Sequence, residues 1–268
     1  MQAGVIATKS DSGTMPAMFR LTLVILLGLT GWAAAADLDW RDVESRIQYA
    51  WYTEDARDLA AEANRVDGLA SEPLQADYLA LIHLHEAQLA LAPATDGGAS
   101  DITAVGEAAA ACIRSADEGL ESQPTDAQLL AVQSVCMDLR GRARSVAVPF
   151  AATRSHAQMH RALKLAPKDP RVRLLAAQLA YAAAKSTAER TQLLVSFQSA
   201  VDAFELERQG LERLPAWGAA DAWEGLARVY LDRGDAIAAR SALEHALLLV
   251  PDYKSAHRLL DHILTQVQ

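Results

Sequence analysis

Aromatic residues are scarce in this chain, at 6% of 268 positions, and there are only two cysteines. Long alternating runs of β-branched residues are missing, and no strand pattern bounded by hairpin turns can be found. With alanine and leucine dominating, the composition favours helices over sheets. Positive charge is also in short supply: 25 Lys and Arg face 34 Asp and Glu, for a net charge of −9. No basic cluster offers itself to a phosphate backbone, which argues against nucleic acid as a partner. Reaction signatures are missing as well. There is no G-x-S-x-G, no H-E-x-x-H, no glycine-rich phosphate loop and no EF-hand loop. The two cysteines form no C-x-x-C pair, which excludes a thioredoxin-like redox role. No cofactor and no bound metal are expected, and catalysis is not the leading expectation.

A polar leader, Met1 to Thr14, precedes an apolar segment beginning at Met15. Arg20 supplies a positive n-region, Leu21 to Leu29 an apolar h-region, and Ala33 to Ala36 small residues for cleavage. Together residues 1–36 read as a secretory signal peptide. The other reading is an uncleaved anchor, but the apolar run is shorter than the ~20 residues that span a bilayer. Without Lys9, Asp11 and Arg20 the remaining chain, residues 37–268, is one unit more negative. It has no further segment apolar enough to cross a membrane, and no cysteine follows the h-region to carry a lipid.

Cys112 and Cys136 flank Pro124 at equal distance, on two stretches with helical periodicity. In an antiparallel helix hairpin they fall at similar heights, which favours a disulfide suited to an oxidising compartment. Two separately buried thiols are the alternative.

Proline and turn clusters divide the rest into ten or eleven helices, near 40–51, 54–67, 73–91, 102–121, 126–140, 153–166, 170–185, 188–213, 219–232, 236–249 and 252–266. Residues 94–101 and 141–149 read as loops. The expected fold class is all-α, built from stacked antiparallel helix hairpins.

The stretch from Ala220 to Tyr253 is the most informative. Trp223, Leu226, Ala227 and Tyr230 follow W-x2-L-A-x2-Y; Ala239, Leu243 and Ala246 follow on the next helix, and Pro251 closes the unit. Each set lies on one helix face. Gly234 sits where a left-handed residue ends the first helix, and Asp235 where an N-cap starts the second. This stretch resembles a tetratricopeptide repeat, with alanine for the usual glycine at 227 and leucine for the aromatic at 243. The resemblance is fullest over 220–268, looser over 102–185 and least before 95. It implies a right-handed α-solenoid ending in a capping helix at 252–268, and the whole chain looks like exported repeat proteins of bacteria.

The resemblance also implies a concave groove lined by first helices, which on the last repeat selects Asp221, Glu224, Arg228 and Asp232. Their i, i+4 spacing permits Glu224–Arg228 and Arg228–Asp232 ion pairs. A self-neutralising solvated face competes with a binding role here. His156 and His160, also at i, i+4, could form half of a metal site, yet no carboxylate nearby completes it; exposed histidines on an outer face are the simpler expectation. The leading function is an exported scaffold or adaptor without chemistry, which binds a protein or peptide of the periplasm in its groove. The alternatives are a metal-binding or enzymatic protein using scattered His and acidic residues, and an assembly role through self-association.

Overall fold

The computed structural model describes residues 39–69, 74–92, 100–144, 151–209 and 217–266. The signal peptide over 1–36, most of the 94–101 and 141–149 loops, and the prolines at 73, 93, 149 and 215 lie outside them. Every regular element among the described residues is a helix. In chain order these are α1 (Trp40–Tyr52), α2 (Ala56–Asp67), α3 (Gln75–Leu91), α4 (Ile102–Ser122), α5 (Ala127–Arg142), α6 (Ala151–Leu165), α7 (Pro170–Ala183), α8 (Thr187–Thr191), α9 (Leu194–Gln209), α10 (Ala219–Asp232), α11 (Ala236–Leu249) and α12 (Lys254–Gln266). None is long and apolar enough to cross a membrane.

Aspartate sets most of the boundaries. Asp39, Asp55, Asp101, Asp126, Asp169 and Asp235 each stand just before a helix and accept hydrogen bonds from its first-turn N–H groups. The carboxylate satisfies orphan donors and complements the positive end of the helix dipole. Gly234 ends α10 at φ 75°, the left-handed region expected of it. The single helix expected over 188–213 is instead interrupted. Gln192 and Leu193 bond back three residues rather than four, which tightens a turn between α8 and α9. No proline marks the break, so hydropathy alone runs through it.

Helices pack with their sequence neighbours, and a second set of contacts joins α3 to α5 and α5 to α7. One side of the fold therefore collects α1, α3, α5, α7 and α10. The core is continuous between pairs: Leu226, Ala222 and Val229 of α10 face Phe197 and Phe204 of α9, while Ala227 packs with Ala239, Leu243 and Ala246 of α11. Trp223 and Tyr230, half-buried, cover the same seam. Alanine at 227, 239 and 246 keeps the two backbones close, and Leu243 fills the space beside them without any exposure. Cys112 of α4 and Cys136 of α5 form a disulfide with Cα atoms 6.2 Å apart. Both are fully buried, so the bridge staples the hairpin from inside.

Candidate concave site

A cavity of about 670 Å³ lies on the side where α1, α3, α5, α7 and α10 come together. Each contributes to its wall, as Trp51, Leu89, Leu139, Leu179 and Glu224 illustrate, and Leu259 of α12 adds to it. Volumes of this size suit small ligands or a few side chains rather than a whole helix. The wall is mostly aliphatic and aromatic, with charged groups at particular points.

Part of the wall is Asp221, in the first turn of α10 and 6% exposed. Its carboxylate accepts three hydrogen bonds: from Trp51 Nε1 at 2.9 Å, Tyr52 Oη at 2.8 Å and Tyr253 Oη at 3.0 Å. Burial pushes its pKa up and the three donors pull it down, with burial the larger effect. Burial and the adjacent carboxylate both raise Tyr52 and Tyr253, which stay protonated as donors. The two tyrosine rings meet edge to face at 4.6 Å. Trp51 also stacks on the imidazole of His85 at 4.3 Å. His85 is buried, and desolvation lowers its pKa to about 4, so the ring is neutral at pH 7. On the rim, the Arg258 guanidinium takes both oxygens of Glu54 in a bidentate pair. These contacts join the last turn of α1 and the residues after it to α10 and the start of α12.

Glu224 lies one turn along α10 from Asp221 and is 8% exposed. Arg228 bonds it through Nε at 2.8 Å and Nη2 at 2.6 Å, and Ser255 Oγ donates at 2.8 Å; all three go to Oε1. Glu224 is the chief reason that the Arg228 pKa is raised. A third ion pair at the wall joins Arg142 to Asp138 at 2.7 Å.

The four groove residues selected from sequence thus divide. Asp221, Glu224 and Arg228 line the cavity. Asp232 does not: its carboxylate accepts from Tyr181 Oη at 2.6 Å and pairs with Arg190 of α8 at 3.1 Å. Of the two pairs expected from spacing, Glu224–Arg228 forms, whereas Asp232 pairs with Arg190 in place of Arg228. Nor is the face a solvated one, since Asp221 and Glu224 are buried by residues from α1 and α12 that helical periodicity cannot connect to them. Ser255 and Arg258, on the helix expected to cap the array, bond to Glu224 and Glu54.

Sequence reasoning missed Trp51, Tyr52, Glu54, Gln88 and Gln178 as site residues. The doublet Trp51-Tyr52, in a chain so short of aromatics, was the available signal; nothing in the pattern marks the glutamines. His156 and His160 are exposed on α6. His245 stacks on Trp223 at 4.5 Å. Among the described residues no group of three or more His, Cys, Asp or Glu side chains is placed to hold a metal. No family model matches the chain, and no curated protein sequence matches it.

Proposed function

We propose that the chain is a tetratricopeptide-like right-handed α-solenoid that acts as an exported binding module, holding a segment of a periplasmic protein or peptide in its concave cavity. The observation that carries this reading is the cavity itself, walled by α1, α3, α5, α7, α10 and α12 in turn. A wall built from every second helix of an array is the surface such arrays present to partners. Repetition of the turns supports the solenoid. Around Glu54 and around Gly234 the backbone makes the same bonds: Thr53 to Tyr49 and Arg233 to Val229, then Asp55 to Ala50 and Asp235 to Tyr230. Of the positions of α1 and α2 equivalent to the signature of α10 and α11, six hold the buried residues Val43, Ile47, Ala50, Leu59, Ala63 and Val66, and the one equivalent to Leu226 holds the exposed Arg46. At the six buried positions the residues differ while their placement is preserved. Export would supply the oxidising compartment that the disulfide needs.

A photo-crosslinking residue placed at Gln178, on the cavity wall, should capture one dominant envelope partner when the full chain is expressed with its leader. The same residue placed at the exposed position of His156 should not. Equal capture at the two positions, or none at Gln178, would remove the concave surface as the binding face.

A further inference from the structure

The bonding of Glu224 is lopsided. All three of its donors converge on Oε1, and no described residue bonds Oε2. Glu224 is 8% exposed and lines the cavity, so this oxygen is an acceptor left open on the cavity wall. Beside it, Arg228 uses Nε and Nη2 for its partners Glu224 and Ser255, and no described residue bonds Nη1. Across the cavity on α7, the half-buried amide of Gln178 makes no hydrogen bond with any described residue. An acceptor and a donor thus stand side by side on α10, with a second donor and acceptor on α7.

Each cation near this acceptor is already paired with a carboxylate. Glu54 pairs with Arg258, Asp138 with Arg142 and Glu224 with Arg228. The remaining carboxylate, Asp221, is covered by its three donors. A negative charge on the ligand would meet no unpaired cation and would have to be desolvated without return. A neutral ligand that offers one N–H and one C=O satisfies both open positions of the Glu224–Arg228 pair. The aliphatic wall, with Leu89, Val135, Leu139, Leu179 and Leu259, suits alkyl side chains more than the hydroxyl faces of a sugar.

We infer that Glu224 and Arg228 receive one peptide amide of an internal, apolar segment, with Glu224 Oε2 accepting its N–H and Arg228 donating to a carbonyl, and that the site discriminates against a free chain-terminal carboxylate. This deepens the binding-module reading and rests on it for the identity of the physiological ligand only. The unpartnered oxygen and the paired cations stand apart from that reading.

Two small probes test it on the full purified chain by NMR titration. N-acetyl-leucine N-methylamide presents neutral amides; N-acetyl-leucine presents a carboxylate. The neutral probe should shift the Gln178 side-chain and Leu179 resonances, and the anionic one should bind about tenfold more weakly or worse, as expected for a hydrogen bond to a charged acceptor. Glu224→Gln keeps an oxygen for Arg228 and Ser255 but can turn an NH₂ toward the ligand. It should weaken the neutral probe by about tenfold and narrow or invert the discrimination. Gln178→Leu, which breaks no bond of the fold, should weaken the neutral probe too and covers the case in which Glu224→Gln fails to fold. Equal binding of the two probes, tighter binding of the carboxylate, failure of the neutral probe to bind, or indifference to Gln178→Leu would overturn the inference. A partner captured at Gln178 alongside a silent neutral probe sinks the inference and leaves the module; a bound probe with no captured partner does the reverse.

Discussion

Asp77 offers the clearest quantitative test of the electrostatics. It sits in the first turn of α3 with Oδ1 buried and unbonded. Burial, and to a lesser extent the nearby Asp126, raise its pKa to about 6. A carboxyl whose folded pKa exceeds its unfolded value binds protons more readily in the native state. Its contribution is therefore fully present below about pH 4 and is lost as pH rises through about 6. A shift of about two units corresponds to roughly 3 kcal/mol, and solvent reaching this half-buried side chain reduces that to about 1–2 kcal/mol. Asp77→Asn removes the charge while keeping the shape, so it should stabilise the protein by about 1–2 kcal/mol at pH 7 and by nearly nothing at pH 4. His85 acts in the opposite sense. Its folded pKa is lowered to about 4, so its contribution is present above pH 6.5 and is lost as pH falls through 4. In the native protein the two slopes oppose each other between pH 4 and 6.5, and Asp77→Asn should expose the His85 slope as a steeper loss of stability on acidification. Urea unfolding at pH 4, 5, 6 and 7, followed by tryptophan fluorescence, measures both effects. A variant less stable than the parent at pH 7, or a difference that does not change with pH, would refute the reasoning.

Other substitutions test other parts of the fold. Replacing Cys112 and Cys136 together by alanine opens a loop with a sequence separation of 24 and should cost about 3 kcal/mol by the loop-entropy relation; a thermal midpoint unmoved by reductant would contradict this. In Gly225→Ala the new Cβ would stand 2.2 Å from the Phe197 ring, whose atoms are themselves core, so overpacking should cost about 1–3 kcal/mol in urea unfolding, and a neutral result would show that α9 yields freely. Asp221→Ala strands two buried tyrosine donors and a partly buried tryptophan donor and should cost about 3 kcal/mol or more, with amide exchange faster through the end of α1; exchange changed only in α10 would show that the bridge between them is not held by this carboxylate.

The helices were legible in the sequence because proline, Asp caps and apolar periodicity are local signals, and ten of the expected segments agree with the observed ones to within about two residues. The break at Gln192 and Leu193 was not legible, since a tightened turn changes the direction of the chain without changing its composition. The disulfide was legible through the symmetry of the two cysteines about Pro124. The last hairpin announced itself through Trp223 and Tyr230, whereas the first hairpin makes the same turn with Glu54 at φ 51°, where the last has glycine. A glutamate there gives no hint of a left-handed residue. The candidate site was half legible. The face of α10 could be derived from a 3.6-residue period, but what covers that face comes from other helices, α1 at separations of 169 and 170 residues and the start of α12 at 31 and 32. No periodicity within α10 reports Trp51, Tyr52, Tyr253 or Ser255.

The bridge from α1 to the far end of the chain carries a cost in time. Trp51 and Tyr52 find their acceptor 170 and 169 residues later, and Glu54 its guanidinium 204 residues later. An array held only by neighbouring contacts can complete each unit as it emerges. Here the last turn of α1 has neither its carboxylate nor its arginine until α10 and α12 have been made. At typical synthesis rates that interval is roughly 10–40 s. For that period a tryptophan, a tyrosine and an open apolar cavity wall face water, and folding finishes only when both ends of the chain are present.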